Sequence, residues 1–173
     1  MTSYVWHQAW PAPGHLPVRQ VYAWVLDENA QVLLIEMPGG WNLPGGTPEP
    51  WDEGWEATLS REVAEEASIT VREVIPLGYQ AVRTDDGESF AQLRVVARVQ
   101  EWLPAGADPD TGLVYPRVWV PLERAAGLLG WGEPGRAQAV AAARVAHDVY
   151  GFAAAAPLAQ GARCASTPVM QRV

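Results

Sequence analysis

Two apolar periods alternate along the chain. Residues 18–26 (VRQVYAWVL) and 32–37 (VLLIEM) are β-branched, aromatic and aliphatic runs separated by the turn-forming DENAQ, which predicts a hairpin over 18–37. The Pro- and Gly-dense stretch WNLPGGTPEP, 41–50, reads as a loop. Over 55–67 the period changes: Leu59, Val63 and Ala67 recur every four residues among polar ones, which predicts a helix. Strands return over 70–102 around a turn at 84–89 that contains Asp86-Gly87. A loop at 103–111, a short strand at 114–121, a short helix at 122–130 and an Ala-rich helix at 135–150 complete the pattern. Residues 1–17 read as an irregular arm and 153–173 as a loosely ordered tail, leaving one domain over 18–152. Paired strands followed by helices, with no internal repeat, place the chain in the α+β class.

Composition narrows the chemistry. The twelve basic residues are all Arg, so lysine Schiff bases and Walker-type phosphate loops are excluded. A net charge of -8 argues against a nucleic-acid-binding surface. The single cysteine, Cys164, cannot form an intrachain disulfide or a thiolate zinc site, and His7, His15 and His147 form no local metal motif. There is no signal-like start and no apolar run of membrane-spanning length, so the expectation is a cytoplasmic protein without a membrane partner.

Charge is concentrated. Between Glu49 and Glu66 stand seven acids and one base, Arg61. On a helical wheel Glu65 falls about 60° to one side of Glu62 and Glu66 about 40° to the other, so three carboxylates share one flank beside the apolar stripe. Such like charges repel. A hard divalent cation, Mg²⁺ or Mn²⁺, would offset that repulsion and bridge to phosphate oxygens. An acidic, solvated helix face is the simpler alternative. Arg61, one wheel position away, is suited to orienting a glutamate by pairing, with Glu65 at i+4.

Gly46, Glu53, the run Arg61-Glu62-Val63-Ala64-Glu65-Glu66 and Ile69 resemble the Nudix box, and Trp41-Asn42-Leu43-Pro44-Gly45-Gly46 resembles its usual entry. The resemblance implies an α/β/α sandwich around a mixed sheet, and hydrolysis of a nucleoside diphosphate linked to another group. It implies that Glu62, Glu65 and Glu66 hold the metal, with a Gly45 carbonyl beside them. Gly45 and Gly46 would let backbone approach a small nucleotide-type substrate, and one of the three acids or a later carboxylate would activate water. The first spacer, Thr47 to Asp52, has six residues where the family has five, so either Glu53 or Asp52 fills the accessory acid position. Ser68 stands where the family has Gly, at a conformational cost of about 1 kcal/mol in a left-handed helix terminus.

Around the box, Tyr22, Trp24, Trp41, Phe90 and Trp119 are candidates for stacking on a base, although core packing is the simpler role for each. Trp51 and Trp55 flank the insertion and would shape substrate entry. Glu88, Glu101 and Glu123 are candidate outside bases, and His147 reads as structural. The rival to a hydrolase is a catalytically weak Nudix-fold module that binds or senses a nucleotide. Oligomeric state is open, a homodimer being one option.

Overall fold

The computed structural model describes residues 1–161 and the backbone of residues 171–172. Its strands are β1 (Ser3–His7), β2 (Val18–Leu26), β3 (Gln31–Met37), β4 (Gly40–Asn42), β5 (Gly45–Gly46), β6 (Ile69–Arg83), β7 (Ser89–Trp102), β8 (Arg117–Pro121) and β9 (Gln171–Arg172). The helices are α1 (Trp55–Ala67), α2 (Leu122–Leu129), α3 (Gly132–Asp148) and α4 (Ala156–Ala159), the last preceded by a 3-10 turn at Ala153–Ala155. Among the described residues the strands form one mixed sheet in the order β1-β6-β7-β2-β3-β8-β9, with β4 on β3 and β5 on β2.

Side chains alternate across a strand, and this sheet uses both faces. Val21, Ala23 and Val25 of β2 join Leu33 and Ile35 of β3 in the layer under α1, which supplies Leu59, Val63 and Ala67. Trp24 and Leu26, with Val32 and Leu34, point the other way into the alanines of α2 and α3. A sheet buried on both faces needs near-continuous apolar strands, which explains why VYAWVL and VLLI lack polar alternation. The result is a three-layer arrangement with α1 alone on one side.

The 18–37 hairpin is realised only at its turn. Asp27 accepts from the backbone N–H of Asn29 and Gln31 at 2.9 and 2.8 Å, but β2 and β3 share a single registered pair, Leu26 with Val32. Elsewhere β2 runs parallel to β7 and takes the two glycines of β5, while β3 turns to β4 and β8. This split opens the sheet where β5 inserts.

The two ends depart from the sequence reading. Ser3–His7, expected to be irregular, pairs antiparallel with Tyr79–Arg83 as the edge strand β1, helped by His7 stacked on Tyr79 at 4.8 Å between centroids. Residues 153–159, expected to be loose, are helical and bury Ala155 against the α3 layer. Residues 162–170, with Cys164, and residue 173 lie outside the described residues.

Helix α1 matches its expected limits and ends at Ser68, whose φ of 48° and ψ of 50° are left-handed. Its N–H closes on Ala64 O at 3.1 Å. A serine holding a glycine conformation is strained. Ser68→Gly is expected to raise stability by about 1 kcal/mol, or roughly 2–4 °C in thermal midpoint for a chain of this length, measured by calorimetry. No helix among the described residues is long and apolar enough to cross a membrane.

Candidate active site on helix α1

The apolar stripe of α1 fixes its rotation, and that rotation brings Glu62 and Glu66 to β5, with Glu65 on Arg61. Glu66 is 9% exposed. Its Oε2 accepts from the Gly45 N–H at 2.9 Å. Burial, then the neighbouring charges of Glu62, Asp108 and Glu65, push its carboxyl up to about 8 despite that bond. Burial also raises Glu62, against the pull of Arg61.

The glycines are shaped for this approach. Gly45 has φ +142°, and a Cβ there would overlap the Val21 carbonyl oxygen, while a Cβ on Gly46 would overlap the Glu62 carboxyl. Gly45→Ala is therefore expected to cost about 3 kcal/mol or more, read from a denaturant midpoint, because backbone must move on β2 as well as on β5. Gly46→Ala displaces only a carboxylate and should disturb the site more than the fold.

Arg61 ties the helix to the loop before it. Its Nη2 donates to Asp52 Oδ2 and to Thr47 O, both at 2.9 Å, and its Nε reaches Asp52 Oδ1 at 3.3 Å. Its Nη1 donates to Glu62 Oε1 at 3.0 Å and Glu65 Oε2 at 3.1 Å. Arg61 thus orients glutamates, and it holds two of them rather than Glu65 alone. Asp52 also accepts from Thr58 Oγ1 and Glu49 N–H, each at 2.9 Å. Arg61 first, then these donors, hold the Asp52 carboxyl far below its usual range.

Among the described residues no three His, Cys, Asp or Glu side chains stand gathered as a metal cage. The reason is visible: one arginine nitrogen serves both Glu62 and Glu65, and Glu66 is turned onto Gly45. The donor set nevertheless fits a hard cation, since it is all oxygen. The buried Glu66 carboxyl, moreover, takes its hydrogen bond from a neutral N–H, with no cation paired to it among the described residues.

Comparison with known proteins places the chain in a family. The family model described as the NUDIX domain matches residues 16–143, most of the 173-residue chain. The chain belongs to the Nudix family.

Solved structures agree on the fold of this Nudix chain. A NUDIX hydrolase from Nitrosomonas europaea superposes with a TM-score of 0.54 at 21% identity, covering 68% of this chain and 80% of that one. A pyrophosphohydrolase from Bacillus subtilis, solved as a point mutant, gives 0.53 at 20% over 61% of this chain and 65% of that one. A MutT protein from Bacillus halodurans gives 0.51 at 24%, over 67% and 76%. No curated protein matches the sequence.

Within the Nudix domain the other sequence candidates scatter. Glu53 is exposed, while the neighbouring Asp52 reaches Arg61. Glu88 pairs with Arg19 at 2.7 Å on the far hairpin, Glu101 is exposed late in β7, and Glu123 opens α2. Trp24 is core, Trp119 packs edge-on against Trp102, Phe90 lies under Arg19, and Trp41 packs on the α3 layer. Trp55 meets Trp10 edge-on, Trp51 is exposed, and His147 contacts Asp148. Tyr22 lines a polar cavity beside Trp131, and Phe90 a second one with Arg19, Gln20 and Thr47.

Sequence reading missed Asp108. This buried acid on the β7–β8 loop accepts at Oδ1 from Asp110 N–H, Thr111 N–H and Thr111 Oγ1 at 3.0, 2.7 and 2.9 Å, and its charge acts on Glu66. The turn-forming run Asp108-Pro109-Asp110-Thr111-Gly112 was the available signal.

Proposed function

We propose that this Nudix protein is a pyrophosphohydrolase acting on a nucleoside diphosphate linked to another group. Water forms a bond to one phosphorus, the bridging oxygen leaves with the other phosphate, and the water proton passes to solvent or a carboxylate. The observation that carries this reading is the buried carboxylate Glu66 held on the Gly45 N–H, on the same helix flank as Glu62 and Glu65. Repulsion among them favours binding a divalent cation, Mg²⁺ or Mn²⁺, with Glu62, Glu65 and Glu66 as its holders and the Gly45 carbonyl beside them. When bound, that cation supplies neutralisation of phosphate charge and Lewis acidity.

The chain's own groups do the rest. Gly45 and Gly46 let the Val21 carbonyl and the Glu62 carboxyl close in on β5, where a Cβ would overlap each, and their backbone is the part that faces the substrate. Asp52, rather than the exposed Glu53, takes the accessory acid position by fixing Arg61, and Arg61 holds the Glu62 and Glu65 rotamers in register. The test is product release with Mg²⁺ or Mn²⁺ on nucleoside triphosphates, dinucleoside polyphosphates, nucleotide sugars, ADP-ribose and coenzyme A. Turnover of at least one class is expected, and no product from any would overturn the reading.

One observation favours a second reading, a nucleotide-binding module: Arg61 already neutralises Glu62 and Glu65. Tight binding in a calorimeter with no product over hours would establish that alternative.

A further inference from the structure

On the face of the sheet opposite α1, a cation stands where the apolar layer should continue. Arg94 of β7 lies two residues before the core residue Val96, pairs in register with Tyr22 of β2, and is 2% exposed. Its Nε donates to Gln138 Oε1 at 3.1 Å, its Nη1 to Leu93 O at 3.1 Å and its Nη2 to Gln92 Oε1 at 3.0 Å. All three acceptors are neutral, and among the described residues no carboxylate pairs with it. The guanidinium carbon lies 4.8 Å from the Tyr22 ring centroid and 5.0 Å from that of Trp131. Burial pulls its pKa down to about 10. Burying a charge without a counter-charge is costly, and side chains of this type are rarely fully buried unless paired. A guanidinium has five N–H groups, and these bonds use three, leaving one on each Nη.

The surroundings suggest what those two serve. Arg94 borders a cavity of about 410 Å³, lined also by Tyr22, Asn42, Gln80, Gln92 and Trp131, a size suited to a small ligand. Its neighbours are rings and amides, and an amide can present either its donor or its acceptor side. Tyr22 links the cavity to the carboxylate edge. It pairs with Gly45, whose N–H binds Glu66, and its hydroxyl feels the charges of Glu66 and Glu62.

We propose that this cavity receives the base of the nucleotide and that Arg94 is a specificity-determining residue, selecting a 6-oxopurine over adenine. A guanidinium only donates. Two N–H groups on adjacent nitrogens match the paired O6 and N7 acceptors of guanine or hypoxanthine. Adenine has the same outline but an amino donor at position 6, which would leave two buried donors opposed. The inference rests on the pyrophosphohydrolase reading only for where the phosphates go.

Calorimetric titration of the full chain with IMP, GMP and AMP tests it without any bond being cleaved. Failure here therefore leaves the hydrolysis panel standing, and failure of the panel leaves this result standing. IMP and GMP are expected to bind at least tenfold more tightly than AMP. Gln92→Glu supplies Arg94 with a carboxylate of the same shape; Gln20, which now accepts from Gln92 Nε2, can turn its amide to donate instead. That variant is expected to melt no lower than the parent and to keep the preference, because its second carboxylate oxygen faces Gln20 and leaves both unused N–H groups of Arg94 in place. Arg94→Met, which removes both donors, should bring the preference below twofold. Equal binding of AMP and IMP by the parent, binding of none at millimolar concentration, or a preference that survives in a folded Arg94→Met variant would overturn the proposal.

Discussion

Replacing Glu66 or Glu62 with glutamine is expected to lower kcat/KM by about 10³-fold while leaving the far-ultraviolet circular dichroism unchanged. The magnitude follows from the charge each carboxylate brings to a low-dielectric phosphate site, where one lost electrostatic contact commonly costs about 10²–10³ in rate. The fold should survive because Glu66 is a buried acid that is costly to ionise, with its pKa pushed up to about 8 chiefly by burial. A neutral amide of the same shape removes that cost and still accepts from the Gly45 N–H. A second readout separates metal binding from catalysis. Saturating Mn²⁺ should raise the thermal midpoint of the parent by mass action, and the shift should shrink or vanish in Glu66→Gln. Full activity in both variants would mean that the site lies elsewhere.

The second large effect contrasts two adjacent acids. Asp52→Asn should reduce activity about 10–100-fold and lower stability, because both Arg61 Nε and Nη2 donate to this carboxylate and supporting partners of ligand residues typically carry effects of that size. Glu53→Gln should change activity less than twofold and stability by no more than about 0.5 kcal/mol, as expected of an exposed side chain. Parallel kinetics and denaturant melts of the two variants decide the matter. The reverse pattern would return the accessory role to Glu53.

That contrast marks where the sequence stopped being legible. A helix with a four-residue apolar repeat announces its own rotation, so the 55–67 helix, its buried Leu59, Val63 and Ala67, and the shared flank of Glu62, Glu65 and Glu66 follow from spacing. The left-handed Ser68 was equally readable from the position of the family glycine. The loop before the helix has no period, so whether Asp52 or Glu53 turns toward Arg61 depends on the path of residues 47–54, which includes a Gly54 at φ +150°. The β2–β3 hairpin failed as a reading because adjacency in sequence does not decide pairing. The parallel partner β7 lies some seventy residues on in register, from Val18 with Ala91 to Leu26 with Arg98. The Arg94 cavity was hidden for the same reason: β2, β4, β6, β7 and the turn before α3 each supply one or two residues to it. A single Arg inside LRVVA looks like ordinary alternation until both faces of the sheet prove to be buried.

Arg61 also keeps the acids of the box from forming a cage. Nη1 sits against both Glu62 and Glu65, so a cation must compete with it for them. The competition is weighted by Asp52 and the Thr47 carbonyl, which retain the rest of the guanidinium.

The most direct measurement is an anomalous difference map from crystals of the full chain grown with Mn²⁺ and a non-hydrolysable pyrophosphate analogue. A peak is expected within about 2.3 Å of carboxylate oxygens from at least two of Glu62, Glu65 and Glu66, with the analogue's oxygens on its open side. Analogue density with no peak at those three side chains, or manganese bound only elsewhere on the molecule, would contradict it.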